Sequence, residues 1–359
     1  ELTLDELRAA FAADSTSPAA YRALVSALTN QPDSRELAEV HERWAEKIGD
    51  PLQAGRALAL AGEQREACGD IDKATRHFAK ALELDPRQAI AARAVVRLAG
   101  ERRDVHRHIE QLTGWAARLA EVGATGVEKA EVELALARAQ AALPGRLDKS
   151  FEHHRAAIAL DPELEGTLDE AVERARQARR VADVRAFLSL AAETTRSPER
   201  RVTLLRALVE AQTAQPADFD GSITTLAALS RLLPDDRSLI EQRITLLVQR
   251  ARRKKGTDAE RADLDAAASL EVELARRMDT DSTLDAVDRA LALSPDHAEA
   301  MALLTSVATQ APTDANRARL GKHLAARVRA AGEEATPAAR LLLAAWYERE
   351  GRAGEAFDT

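Results

Sequence analysis

The chain has 359 residues, of which 45% are hydrophobic, 31% charged and only 3% aromatic, so it can bury a core and is not a disordered polymer. Its net charge of −8 at pH 7 and pI near 5.7 weigh against a nucleic-acid role for the chain as a whole, which would bring a basic balance. The single cysteine, Cys68, excludes an internal disulfide and a cysteine metal cage, and no apolar run approaches the ~18 residues of a membrane span.

Alanine is abundant. It is the best helix former and the smallest side chain that still covers a backbone, so an all-α fold of closely packed helices is expected. No segment alternates with a two-residue period, and no sheet is predicted. The chain begins at Glu1 without a signal-peptide pattern and reads as a segment of a longer protein. A lone thiol suits a reducing compartment, and a cytoplasmic location is the expectation.

In chain order, residues 1–16 read as a leading helix. Seven of the twelve prolines follow Asp, Ser or Thr: Pro18, Pro51, Pro86, Pro162, Pro198, Pro295 and Pro337. The preceding side chain can accept hydrogen bonds from the free amides of a first helical turn. Proline lacks the amide that would go unpaired there, and it stops the helix before it. Each pair therefore reads as one helix ending and the next beginning. The spacing carries more: 33 residues from Pro18 to Pro51, 35 to Pro86, then 36 from Pro162 to Pro198 and 36 to Pro234. The 76 residues between Pro86 and Pro162 make two units with one unmarked junction. Such a period marks a helical repeat array, here of about 19 to 21 helices paired by short loops.

Regular pairs are expected over 17–233. Within 70–84, Ile71, Ala74, Phe78, Ala81 and Leu82 form one apolar stripe at helical spacing. The interval from Pro234 to Pro295 is 61 residues, too long for one unit and short for two. It predicts an irregular unit over 234–295 with a long or extra helix and a mobile loop near Gly256, within 253–260. Residues 296–359 read as further pairs, the last one cut short.

The unit 55–88 resembles a tetratricopeptide repeat (TPR). It has Leu58 and the small pair Ala61-Gly62 in its first helix, Gly69 in the turn, Ala74, Phe78 and Ala81 in its second, and Pro86 at the end. Arg65 stands where the family usually has Tyr. Residues 131–162 match through Leu134, Ala137, Gly145, Ser150, Ala157 and Pro162, with Arg138 at a position usually small; 264–295 keep Val287, Ala290 and Pro295; 341–357 match through Leu343, Ala344, Tyr347, Gly351 and Ala356. The resemblance implies a right-handed superhelical α-solenoid of about nine to ten antiparallel helix pairs, continuous over 1–359. It also implies a concave wall built from the first helix of each pair. Arg56, Ala59, Glu63, Glu66, Ala338, Leu341, Ala345 and Glu348 are the residues expected on that wall. It shows no Lys, Asn and Arg set of the kind some TPR proteins use to grip a terminal carboxylate. A small, apolar wall with acidic edges suits a helical or apolar peptide; its alanines equally serve close coiling of the helices.

The densest charge cluster is Arg250, Arg252, Arg253, Lys254 and Lys255. It reads either as a patch for phosphate, nucleic acid or an acidic partner, or as a helix C-terminus whose dipole favours cations, closed by Gly256. No aromatics interleave to stack bases, which favours the second reading. His106 and His108 diverge by about 200° on a helix and His153 and His154 by about 100°, so neither pair converges on a metal; His41 with Glu42 has no metal spacing either. Cys68 has no nucleophile signature around it and reads as a filler near a turn. Trp44, Trp115 and Trp346 read as packing residues. No Gly-rich phosphate loop, dinucleotide fingerprint or nucleophile elbow occurs. No catalytic, cofactor or metal site is expected. The expected function is a non-enzymatic scaffold for a protein or peptide partner. The alternatives are a recruiting arm of an enzyme whose catalytic domain lies outside this segment, and a sensor closing on a small peptide.

Overall fold

The structure is a computed structural model in which residues 2–29, 34–101, 105–214, 217–278, 280–332 and 335–358 are described; Pro32 and Pro216 lie outside them. Among those residues there are twenty α-helices and no strand. Two compact units are present, Glu1–Pro198 and Glu199–Thr359.

The first unit opens with α1 (Leu4–Ala13) and continues in pairs: α2 (Pro18–Leu28) with α3 (Ser34–Lys47), α4 (Pro51–Ala67) with α5 (Ile71–Leu84), α6 (Ala89–Glu101) with α7 (Val105–Glu121), α8 (Gly126–Ala141) with α9 (Leu147–Leu160), and α10 (Thr167–Gln177) with α11 (Val181–Thr194). In α4–α5, α8–α9 and α10–α11 the two helices are joined by short turns and pack side by side, which makes each of these pairs antiparallel, whereas α6 and α7 touch only sparsely. The pairs are TPR-like in detail. Gly62 brings α4 so close to α5 that a Cβ there would lie 2.5 Å from the fully buried Phe78 ring. In the α8–α9 pair the buried Ser150 hydroxyl donates to the Ala137 carbonyl at 2.8 Å. The turns inside these two pairs hold Gly69 at φ 78° and Gly145 at φ 74°, a conformation that penalises any side chain. One apolar cluster runs from Leu58 through Phe78, Leu98, Leu112 and Leu119 to Leu136.

The second unit begins in α12 (Pro198–Thr213), which meets α13 (Phe219–Leu232) through Val209, Leu226 and Leu229. Three helices fill the interval between Pro234 and Pro295: α14 (Arg237–Arg253), α15 (Asp258–Ala275) and α16 (Thr280–Leu293). The link Lys254–Thr257 turns at Gly256, φ 82°. Then follow α17 (Ala298–Gln310), α18 (Asp314–Ala331), α19 (Pro337–Arg349) and α20 (Ala353–Phe357). Trp346 packs against Gly321, where no Cβ would fit.

The proline junctions are of two kinds. Ser17, Asp50 and Thr336 are N-caps with proline in the first turn, and α12 starts at Pro198. Asp85, Asp161 and Ser294 were expected to do the same and do not. Asp85 is the last cap of α5, with extended backbone and its N–H on the Ala81 carbonyl. The chain then makes a full turn, held by the Asp85 carboxylate accepting from Arg87 N–H at 3.0 Å, and α6 starts only at Ala89. Asp161 repeats this with Glu163 N–H at 3.0 Å, ahead of α10 at Thr167. A residue already ending one helix cannot also sit at the start of the next. The stability effects divide accordingly. Asp50 accepts from Leu52 N–H at 2.9 Å and Gln53 N–H at 3.4 Å. Asp50→Ala is expected to cost about 0.5–2 kcal/mol in urea unfolding, and Asp85→Ala distinctly less.

Arginines tie neighbouring repeats together. Arg8 reaches Glu36 at 2.6 Å, Arg97 reaches Glu66 at 2.5 Å, and Arg138 pairs with Glu170 in the first unit; Arg206 reaches Asp236 at 3.0 Å and Arg319 reaches Asp285 at 3.1 Å in the second. Each partner lies 28 to 34 residues away, about one repeat.

Candidate partner-binding site

The residues expected on the first-helix wall separate into two sets. Arg56 and Glu63 on α4 are exposed, and Glu66 is half-buried in its ion pair with Arg97. Burial, and then the neighbouring Glu66, push the Glu63 carboxyl above its usual range. Ala59 on the same stripe is fully buried inside the apolar cluster and cannot meet a partner. Its small side chain serves packing between helices instead. On α19, Leu341 is 69% exposed and Ala338, Ala345 and Glu348 are exposed with it.

The basic run is largely engaged. Arg250 makes a two-pronged contact with the buried Asp263, 2.6 and 3.0 Å, and also pairs with Asp220. Lys254 reaches Asp263 at 3.3 Å, and the Arg253 guanidinium lies 4.3 Å from the Phe219 ring centroid. Arg252 and Lys255 are exposed.

The histidines diverge as helical geometry requires. His106 is exposed while His108 is buried; His153 is half-buried, its Nδ1 2.7 Å from Glu133, and His154 is fully buried. His154 stands where the α4–α5 pair has Phe78, edge-on to Phe187 at 6.3 Å, and neither ring nitrogen has a hydrogen-bond partner among the described residues. Burial pushes its pKa down to about 4. Burial does the same to His41, also to about 4, whose Nδ1 lies 2.7 Å from the Tyr21 hydroxyl. Cys68 is half-buried at the end of α4. Trp44 stacks on Tyr21 at 4.5 Å, and the Trp115 and Trp346 indoles donate to the carbonyls of Pro86 (2.8 Å) and Arg317 (3.1 Å).

The sequence reading did not identify a cleft of about 670 Å³ in the first unit. Its walls come from α6 (Arg93, Arg97), α7 (Val105, His108, Trp115), α8 (Glu131, Leu134, Arg138) and the approach to α10 (Leu164, Glu165). One difference between the two pairs lies one repeat on from Gly62. There, 35 residues along, stands Arg97, whose side chain cannot make the close contact that Gly62 allows. Arg97 reaches back to Glu66 instead, and α6 does not close on α7 as α4 closes on α5. Two signals were present in the sequence: the junction without a proline between Pro86 and Pro162, and arginine at the small positions 97 and 138.

The chain is an all-helical protein built from consecutive helix pairs, several of them TPR-like in detail. No family model and no curated protein matches the chain. Solved structures similar to it include the assembly chaperone of RpL4, Acl4, at 17% identity and TM-score 0.31, with 67% of this chain and 98% of that chain covered. Naa15/Naa10 bound to HypK-THB matches at 12% and TM-score 0.34, covering 98% and 64% respectively. The APC/C hetero-tetramer Cut9–Hcn1 matches at 17% and TM-score 0.29, covering 84% and 51%. At these scores they add nothing to the architecture, which rests on the helix pairing itself.

Proposed function

We propose that the chain is a non-enzymatic scaffold that takes a partner protein, through a helical or apolar segment, on the face formed by the first helices of its pairs. The observation that carries this reading is Leu341, 69% exposed on α19 beside exposed Ala345 and Glu348. A large apolar side chain held out on a first helix, rimmed by charge, matches the anatomy of an interface core and edge. The basic run does not favour nucleic acid, because Arg250 and Lys254 are already neutralised by Asp263.

Photo-crosslinking tests it. A benzophenone side chain placed at Ala345 or Glu348 should yield adducts with one and the same protein in a cell extract, and Leu341→Glu should abolish them. The same group at exposed Lys80, on the second helix α5, should give none. Equal labelling at all three positions would overturn the reading.

A further inference from the structure

We propose that the cleft bounded by α6, α7 and α8 receives one large apolar side chain of a partner segment whose flanking residues are lysine or arginine. This deepens the partner-binding reading and rests on it. Three observations on the cleft support it. The first is size: about 670 Å³, within the range of pockets that bury a ligand. Its interior is apolar, with Val105, Trp115 and Leu134 in the walls.

The second observation is His108. It is 8% exposed, lines the cleft, and its Nδ1 has no hydrogen-bond partner among the described residues. A buried polar atom without a partner costs stability in the free protein, and an incoming backbone or side-chain group can supply what is missing.

The third is the balance of charge at the rim. Arg97 and Arg138 are neutralised by Glu66 and Glu170. Among the described residues that leaves exposed Glu131 and Glu165 against exposed Arg93. Two carboxylates against one guanidinium favour a cationic flank over an acidic one.

The test uses the full chain and three fluorescein-labelled peptides, read by anisotropy at low salt. One carries a central leucine with lysine flanks, the second the same leucine with glutamate flanks, and the third lysine flanks with serine in place of leucine. The first should bind about tenfold tighter than either of the others. The double variant Glu131→Lys/Glu165→Lys changes two exposed side chains and should reverse the order of the lysine and glutamate peptides. The single variant Arg93→Glu should strengthen lysine-peptide binding. Equal affinity for the lysine and glutamate peptides, absence of binding by all three, or an order unmoved by charge reversal would overturn the proposal. The helical circular dichroism of each variant is compared with the wild type; if the double variant loses helicity, Glu131→Gln and Arg93→Glu carry the decision in the same assay. If the crosslinks from α19 persist while the peptide order fails, the cleft assignment falls and the scaffold reading stands.

Discussion

Phe78→Ala is expected to lower the stability of the first unit by about 3–5 kcal/mol, the range for an aromatic removed from a packed core. The ring is fully buried, with Ala74, Ala81 and Leu82 beside it on α5 and Leu58 facing it in one cluster. Its face lies where a Cβ on Gly62 would stand, 2.5 Å away. That contact gives the prediction a second arm. Gly62→Ala in the native background forces a buried ring to move and should cost about 1–3 kcal/mol. In the Phe78→Ala background the same methyl enters the space the ring left, and alanine replaces glycine inside a helix, a gain of about 1 kcal/mol. The effect of Gly62→Ala should therefore change sign between the two backgrounds. Urea unfolding, with hydrogen exchange in α4 and α5, reads both. Additive effects of the two substitutions would show that the contact does not exist.

Acid is expected to begin destabilising the first unit at about pH 6.5, before its carboxylates start to protonate. His41 and His154 are both held neutral by burial, with pKa values of about 4 against the ordinary histidine value of about 6.5. The unfolded chain binds these two protons between pH 6.5 and 4 while the folded chain does not. The stability is therefore whole above pH 6.5, falls as pH drops, and is fully lost by about pH 4. Each histidine contributes a slope of about 1.4 kcal/mol per pH unit, or about 3 kcal/mol over the window. His154→Phe, which copies the aromatic of the α4–α5 pair, should lower the slope by about 1.4 kcal/mol per pH unit, leaving the contributions of His41 and of His108, which burial also lowers. It should also raise stability at pH 7, because two buried nitrogens without partners disappear. Urea midpoints at pH 7, 6, 5 and 4.5 measure this; an unchanged slope in the variant would show that His154 is not the group that titrates.

The architecture was legible because its causes are local and recur. A cap residue followed by proline, a small pair facing an aromatic, and a glycine in the turn each leave a mark on a few residues, and the marks return with one period. The difference between Asp50 and Asp85 was not legible. Both precede proline, and what separates them is whether the residue still belongs to the helix behind it. On the candidate wall, the exposure of Arg56, Glu63, Leu341, Ala345 and Glu348 follows from helical spacing. Ala59 shares that spacing and is buried, because an alanine says little about whether the neighbouring helix covers it. The cleft depends on two helices failing to meet, a property of the pair that no single residue displays. Its traces, the junction without a proline between Pro86 and Pro162 and arginine at the position of Gly62, show only when repeats are laid over each other.

The arginine ties between neighbouring repeats have a mechanical consequence. Apolar packing runs within pairs and on from one pair to the next, and Arg8–Glu36, Arg97–Glu66, Arg206–Asp236 and Arg319–Asp285 add polar braces between repeats, with arginines roughly one third to just over one half exposed. Each such pair contributes at most about 1 kcal/mol, and at physiological ionic strength screening acts over roughly 8 Å. In a stack where every repeat touches only its neighbours, these weak terms set how far a local opening spreads. Ionic strength then works as an adjustment of stiffness within each unit. In dilute salt a unit is stiffest, and added salt loosens the polar ties between repeats while the apolar core that runs through successive pairs stays in place.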